Sequence, residues 1–318
     1  MTILTEIKTK KIKNSICTFI ISIIFTAIIL SAALFLSEEI SELVTMGLEI
    51  CVKTIIPSIF PFLIITDILI RFIKFEKTDF LRRGFERIFK INGAALSVFI
   101  CGILSGFPTG AKLSLTLYYN GKISKDECER LMGISSNASP GYIICAVGSG
   151  MLGNLRLGAL LFFITAISSV FSGFVLGINS KSTINSNVEM GQKYSFSNSV
   201  KSAALACLNI CAFVTFFSLV SGLLKLYANG RLLLFIFPFL EIATATAYIS
   251  ELCIFPPAIR FSLIAFSISF SGICVYAQIK SLITDDGISM KKYLAVKLLQ
   301  GVFSILLSLM LFPLFFNL

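Results

Sequence analysis

The sequence predicts an all-α polytopic membrane protein, on three observations. Hydrophobic residues make up 56% of the 318-residue chain against 14% charged, with a mean hydropathy of +0.91. Several apolar runs reach the roughly 20 residues that a helix needs to cross a bilayer. Those runs are continuous rather than alternating, which argues against a transmembrane β-barrel. The expectation is about eight or nine membrane segments in two related, inverted halves with broken or re-entrant helices. The boundaries are an N-terminal membrane helix at 1–36, a first membrane half at 37–178, a polar linker at 179–199 and a second half at 200–318.

Composition excludes much chemistry. There is no histidine. Ser-His-Asp triads, Cys-His pairs and His-bound zinc or iron are therefore beyond this chain alone. Nine cysteines are present and none forms a CxxC. Cys207 and Cys211 share a helix face, but nothing completes a metal site, and the cysteines read as small hydrophobes. No metal, cofactor or catalytic residue is expected, and the chain is not expected to be an enzyme. An intramembrane enzyme would need a Ser-Lys or a two-carboxylate site, with Asp67 and Glu241 the candidate pair. The net charge of +10 fits basic cytoplasmic loops, and also an anionic solute or anionic lipids. The cations are scattered among short loops, which argues against nucleic acid.

Lys8, Lys10, Lys11 and Lys13 precede an apolar run that reaches Leu36. At about 20 residues the run is too long for a typical signal peptide, and no good cleavage site follows. A first membrane helix with a cytoplasmic N-terminus is expected, with Glu38, Glu39 and Glu42 on the far side. A second apolar segment, 43–73, carries Pro57 and Pro61, which should kink or break it. Asp67 inside it either pairs with Arg71 one turn on or faces a pore. Residues 74–92 are dense in charge. They include an amphipathic piece around Phe80, Leu81, Phe85, Ile88 and Phe89, expected as a cytoplasmic interfacial helix.

The next apolar run is interrupted by Ser105-Gly106-Phe107-Pro108-Thr109-Gly110-Ala111-Lys112. Two glycines and a proline so close together cannot continue a regular helix. Inside a bilayer, freed backbone N–H and C=O groups are costly unless protein or a water-filled cavity satisfies them. The interruption thus predicts a protected polar place in the membrane, with Lys112 at its rim. A turn at Asn120-Gly121 follows. A capping box from Ser124 to Glu127 then opens a helix too charged to span. Asn137-Ala138-Ser139-Pro140-Gly141 is a second polar break. It leads into 142–151, too short to cross alone and expected as half of a re-entrant hairpin. A spanning helix at 155–178 precedes the Ser- and Asn-rich linker.

The second half repeats this style. Residues 200–226 are apolar. Residues 230–249 contain Pro238 and Glu241, then small and hydroxyl residues from Ala243 to Ala247. Pro256-Pro257 marks a turn. The run 258–283 is interrupted at Ser271-Gly272 and contains Gln278. The last helix, 293–316, carries Lys297 and Gln300 in its first two turns.

Short, Gly/Pro-interrupted apolar segments in both halves are the pattern of a transporter site at a repeat interface. Half-helix N-termini there offer N–H groups and partial positive charge to an anion. The candidate substrate-binding residues of the first half are Gly106, Phe107, Pro108, Thr109, Gly110, Lys112, Asn137, Ser139 and Pro140. Those of the second half are Glu241, Thr244, Ser271, Gly272 and Gln278. Glu241 either couples a proton or cation to transport, neutralises Lys112, or pairs with a cation of another helix. Any single glycine equally serves close helix packing.

The block from Ser105 to Lys112, followed by Asn120-Gly121-Lys122-Ile123-Ser124 and Asn137-Ala138-Ser139-Pro140, resembles the YlbJ type of sporulation integral membrane proteins. These carry a nucleoside-recognition (Gate) type domain. The second half agrees at Leu240-Glu241-Ile242-Ala243-Thr244, at Ser271 to Gln278 and at Lys297-Leu298-Leu299-Gln300. The resemblance covers roughly residues 40–315. It departs at Tyr276, where the family often has His, and near Ala245, where it often has Gly. It implies two Gate-like halves in a mother-cell or forespore membrane of a spore-forming bacterium. It also implies movement of dipicolinic acid, a flat aromatic dianion, toward the forespore. The expected function is a sporulation-associated transporter of a small anionic solute among membrane lipids. Its expected protein partners are a second copy or other sporulation membrane proteins. The alternative is a non-transporting membrane scaffold needed for spore morphogenesis.

Overall fold

A computed structural model of the chain describes residues 36–72, 79–180, 196–284 and 287–316. The expected N-terminal helix, most of the linker and the pairing of Asp67 lie outside the described residues. Among the described residues every regular element is helical. Helix α1 (Ser37–Ile50) passes through one π turn (Cys51–Ile55) into α2 (Ile56–Phe72). The π turn stands just before Pro57, which has no N–H to offer and whose ring crowds the preceding turn. The predicted break is thus a widened turn in a continuous helix. Then come α3 (Asp79–Phe89), α4 (Leu96–Ser105), α5 (Thr109–Tyr119) and α6 (Lys125–Ser135). A π-helix (Gly141–Met151) and α7 (Leu155–Gly177) complete the first half. The second half is α8 (Phe196–Tyr227), α9 (Gly230–Leu240), α10 (Ile242–Glu251), α11 (Pro257–Phe270), α12 (Gly272–Ser281) and α13 (Lys291–Phe316).

Five of these stretches are long and apolar enough to cross a membrane: Ser37–Ile65, Leu155–Gly177, Phe196–Tyr227, Pro257–Ser281 and Lys291–Phe315. A sixth span results if Phe80–Phe89 and Gly93–Ser105, bent by 103°, count as one. Gly141–Met151 and Gly230–Leu240 are apolar but short. The expected eight or nine segments counted such pieces separately. The surface suits lipid. Leu205, Leu208, Leu306, Leu309, Met310 and Phe163 face outward, while Ser168, Ser169, Ser172, Ser267 and Ser304 are buried. Most of these serines donate to a carbonyl one turn back, as with Ser172 to Ser169 and Ser267 to Leu263. That keeps small polar groups satisfied where helices pack closely.

Helix α13 holds the two halves together. It packs along α11 in its own half and along α7 and α6 in the first. One end of this joint is ionic. The Asp126 carboxylate accepts from Arg130 Nε at 2.9 Å and is also ion-paired with Lys292 at the start of α13. Glu129 accepts from Ser289 N at 2.8 Å. Arg130 also donates to the carbonyls of Phe89 and Lys90, tying in the amphipathic α3. The capping box predicted at Ser124 and Glu127 is present, and Glu127 also accepts from Asn92 N at 2.8 Å. Phe85 and Phe89 of α3 are buried against Phe99, whereas Phe80, Leu81 and Ile88 are exposed, as an interfacial helix requires.

Partial burial opposes ionisation of Asp126, but the hydrogen bond from Lys292 and the charge and hydrogen bond of Arg130 outweigh it. The carboxyl is held below its ordinary value. A depressed carboxylate contributes stability that is present above its unfolded value and lost as pH falls through the folded one. Asp126→Asn should therefore lower stability by about 0.5–1 kcal/mol, a half-exposed ion pair being weak. The difference in melting midpoint from wild type, measured in detergent, should stay constant from pH 8 to 5 and shrink below about pH 4.

Candidate functional site

Four chain breaks build the site, and they meet in pairs. Helix α4 ends at Ser105, and Gly106 takes φ +81°, a conformation that L side chains avoid. A Cβ there would stand 2.9 Å from Ser139 N. The first break therefore lies against the second, where the chain leaves α6 and enters the π-helix. Ser139 Oγ accepts from Tyr142 N at 3.2 Å and so caps that π-helix. In the second half, Glu241 is extended between α9 and α10 and caps α10. Its two oxygens accept from Ala243 N at 2.7 Å and Thr244 N at 2.6 Å. The carboxylate thereby meets the positive end of a helix, where an anion is favoured. Ser271 and Gly272 separate α11 from α12 with φ of +76° and +70°. A Cβ on Gly272 would stand 2.8 Å from Leu240 O, so the fourth break lies against the third.

Between the two pairs is a cavity of about 50 Å³. Gly106, Phe107, Ala138, Ser139 and Tyr142 line it from the first half, and Glu241, Ile242, Ala243, Cys274, Val275 and Gln278 from the second. Ile55 and Ile59 near the π turn, with Ile210 and Val214 of α8, form an apolar wall. One hydrogen bond crosses between the halves here: Tyr142 OH and Thr246 Oγ1 are 3.1 Å apart. Thr246 already donates to Ile242 O at 2.8 Å, so Tyr142 is the donor. Gln278 is buried, and its Nε2 donates to Cys274 Sγ at 3.4 Å. Its Oε1 has no partner among the described residues.

Of the predicted site residues, Gly106, Phe107, Ser139, Glu241 and Gln278 line this cavity. Pro108, Thr109, Pro140, Thr244, Ser271 and Gly272 shape the breaks from outside its lining. Gly110 has a packing role: a Cβ there would stand 2.1 Å from Ser135 O. Lys112 is exposed on α5, with Nζ 3.4 Å from Ser202 Oγ. It is therefore not neutralised by Glu241, whose hydrogen-bond partners are backbone amides. Helical periodicity carried this signal: Gly110, Ser114 and Leu117 turn inward, which turns Lys112 outward.

Asn137 leads into a second polar cluster just behind the cavity. Lys297 of α13 is fully buried. Its Nζ donates to Ser136 O, to Gln300 Oε1 at 2.9 Å and, more weakly, to Asn137 Oδ1 at 3.4 Å. Gln300 Nε2 donates to Asn137 Oδ1 at 2.7 Å and Thr165 O at 3.1 Å. Asn137 Nδ2 donates to Ile134 O at 2.8 Å and reaches Ser169 Oγ at 3.4 Å. Sequence reasoning placed Lys297 and Gln300 in the first two turns of the last helix. It could not place them beside Asn137, some 160 residues away. Tyr142 and Cys274 were missed as well, because both read as apolar filler.

The fold and the site define an all-helical integral membrane protein with a mostly apolar cavity, carrying a few polar groups, at a junction of broken helices. No family model matches the chain, and no solved structure matches it. Among curated proteins it is similar to the sporulation integral membrane protein YlbJ of Bacillus subtilis (strain 168). The identity is 26% over 344 aligned positions, which cover 92% of this chain and 84% of the relative. A likeness spread over nearly the whole of both chains supports the YlbJ-type family.

The geometry of the breaks sets the cost of altering them. Gly106→Ala and Gly272→Ala each add backbone strain to a contact with main chain, and should cost about 2–4 kcal/mol in unfolding experiments. Gly121→Ala is the control. It has φ +67° but nothing within 4 Å of the new Cβ, and should cost only about 1 kcal/mol. Glu241→Ala leaves two buried amides without acceptors and should cost about 2 kcal/mol or more, with Glu241→Gln in between.

Proposed function

We propose that this protein is a sporulation membrane carrier that moves a small anionic solute through the cavity where the four breaks meet, with dipicolinate as the candidate. The observation that carries this reading is the convergence of interruptions from both halves on one cavity, where Ser139, Tyr142, Glu241 and Gln278 stand among apolar groups. Packing alone would spread such interruptions along the helices. The similarity to a protein named for sporulation supports a role in spore formation. The resemblance of the motif blocks suggests a dicarboxylate, and the membrane then concerned is that of the mother cell or forespore.

At about 50 Å³ the cavity has room for a few waters and not for an aromatic dicarboxylate. In a carrier this is the closed form between two access states, and the paired breaks are the natural hinges. Gln278, with an amide oxygen that has no described partner, offers the solute a polar contact. Glu241 is the group suited to coupling a cation or proton, because a positive charge entering the cavity would face its carboxylate. No enzymatic step is proposed.

The test is dipicolinate uptake into liposomes holding the purified protein. Saturable uptake is expected. Gln278→Leu should raise KM about tenfold, the effect of one lost buried hydrogen bond. Lys112→Ala should leave KM unchanged. Absence of uptake by folded protein under an imposed ion gradient would overturn the carrier reading and favour the scaffold.

A further inference from the structure

We propose that the buried ammonium of Lys297 is the fixed positive charge that makes this cavity an anion site, acting through the Asn137 break without touching the solute. The inference rests on the carrier reading and names the source of its charge selectivity.

The acceptors around Lys297 can take up all three protons of an ammonium. Three oxygens face Nζ: Ser136 O, Gln300 Oε1 and Asn137 Oδ1. A neutral amine has two N–H donors and an ammonium has three, so three acceptors match the ammonium. The orientation of both amides is fixed by their other bonds. Gln300 Nε2 is committed to Asn137 Oδ1 and Thr165 O, and Asn137 Nδ2 is committed to Ile134 O. Both amide oxygens are thereby left for the lysine. Among the described residues no carboxylate is paired with it.

Such a charge is costly in a membrane protein, and neutral groups of the same shape would join the helices at lower cost. A buried cation whose partners are all neutral suits a site whose counter-charge arrives with the solute. Its position fits. Ser136 and Asn137 directly precede Ala138 and Ser139, which line the cavity. Two residues of extended chain span at most about 7 Å. The ammonium therefore lies close behind the wall that faces the solute. Glu241 lines the same cavity from the second half. At about 10 Å and an effective dielectric near 20, a charge interaction is worth roughly tenfold in affinity for each solute carboxylate.

Three variants test this in the full-length protein. Lys297→Met removes the charge. Asn137→Asp and Gln300→Glu keep the lysine, keep an acceptor beside Nζ, and cancel its charge with a carboxylate. Each is assayed in liposomes with dipicolinate and with picolinate, its monocarboxylate analogue. KM should rise about 100-fold for dipicolinate and about tenfold for picolinate. A structural role alone would move both solutes equally, and that result overturns the proposal, as does an unchanged dipicolinate KM in Asn137→Asp or Gln300→Glu. Wild-type protein that moves neither solute overturns the carrier reading, and this inference with it.

Discussion

Every feature of this site follows from one constraint. Where a helix stops inside an apolar bundle, its freed N–H and C=O groups must find partners within the protein. This chain breaks its helices four times around the cavity. The π-helix is capped by Ser139, and α10 is capped by the Glu241 carboxylate. The carbonyl of Ser136, after α6, accepts from Lys297. The close approach of Gly106 to Ser139 and of Gly272 to Leu240 leaves no room for other side chains to intervene. Breaks that pack main chain against main chain lie side by side, and the polar groups that cap them collect at the same place. The cavity is the space left between two such pairs.

The two buried charges show two ways of keeping an ion in a membrane. Glu241 sits on a helix N-terminus, where two amides and the helix dipole stabilise it. Lys297 sits in a ring of neutral oxygens drawn from two parts of the chain. Neither is ion-paired among the described residues, and each is rigidly held. The local dielectric around them is low, so their fields extend into the cavity. A solute there would meet one fixed positive and one fixed negative charge within a mostly apolar shell, a combination that selects for charge and orientation more than for size. The crossing hydrogen bond from Tyr142 to Thr246 joins the halves at the same level. It would be among the first contacts broken if the halves moved apart.

Much of the fold was legible in the sequence, because membrane helices announce themselves by length and hydropathy. The breaks at 105–112, 137–141 and 271–272 were legible too, since clustered Gly, Pro and polar residues in an apolar run disrupt helical hydrogen bonding there. Which residues of a break point inward was less so. Lys112 was assigned to the site by its place beside the glycines. A count along α5 puts it on the opposite face from Gly110, Ser114 and Leu117. The partnership of Asn137 with Lys297 and Gln300 depends on how α13 packs against α6 and α7, and no local pattern specifies that. Glu241 was read as a carboxylate in the middle of a segment, and its cap role needed the helix start at Ile242, which its apolar surroundings conceal.

The most direct test uses a cysteine already in place. Cys274 lines the cavity and is almost fully buried. Exposed Cys145 and Cys253 can be replaced by serine. Membranes holding that variant would be treated with a small, water-soluble methanethiosulfonate, and modification at Cys274 followed by mass spectrometry. If the cavity opens to water as a carrier site must, Cys274 reacts under native conditions, and dipicolinate slows the reaction. If Cys274 reacts only after denaturation, or reacts at a rate that the solute leaves unchanged, the cavity is a packing void and the carrier reading is wrong.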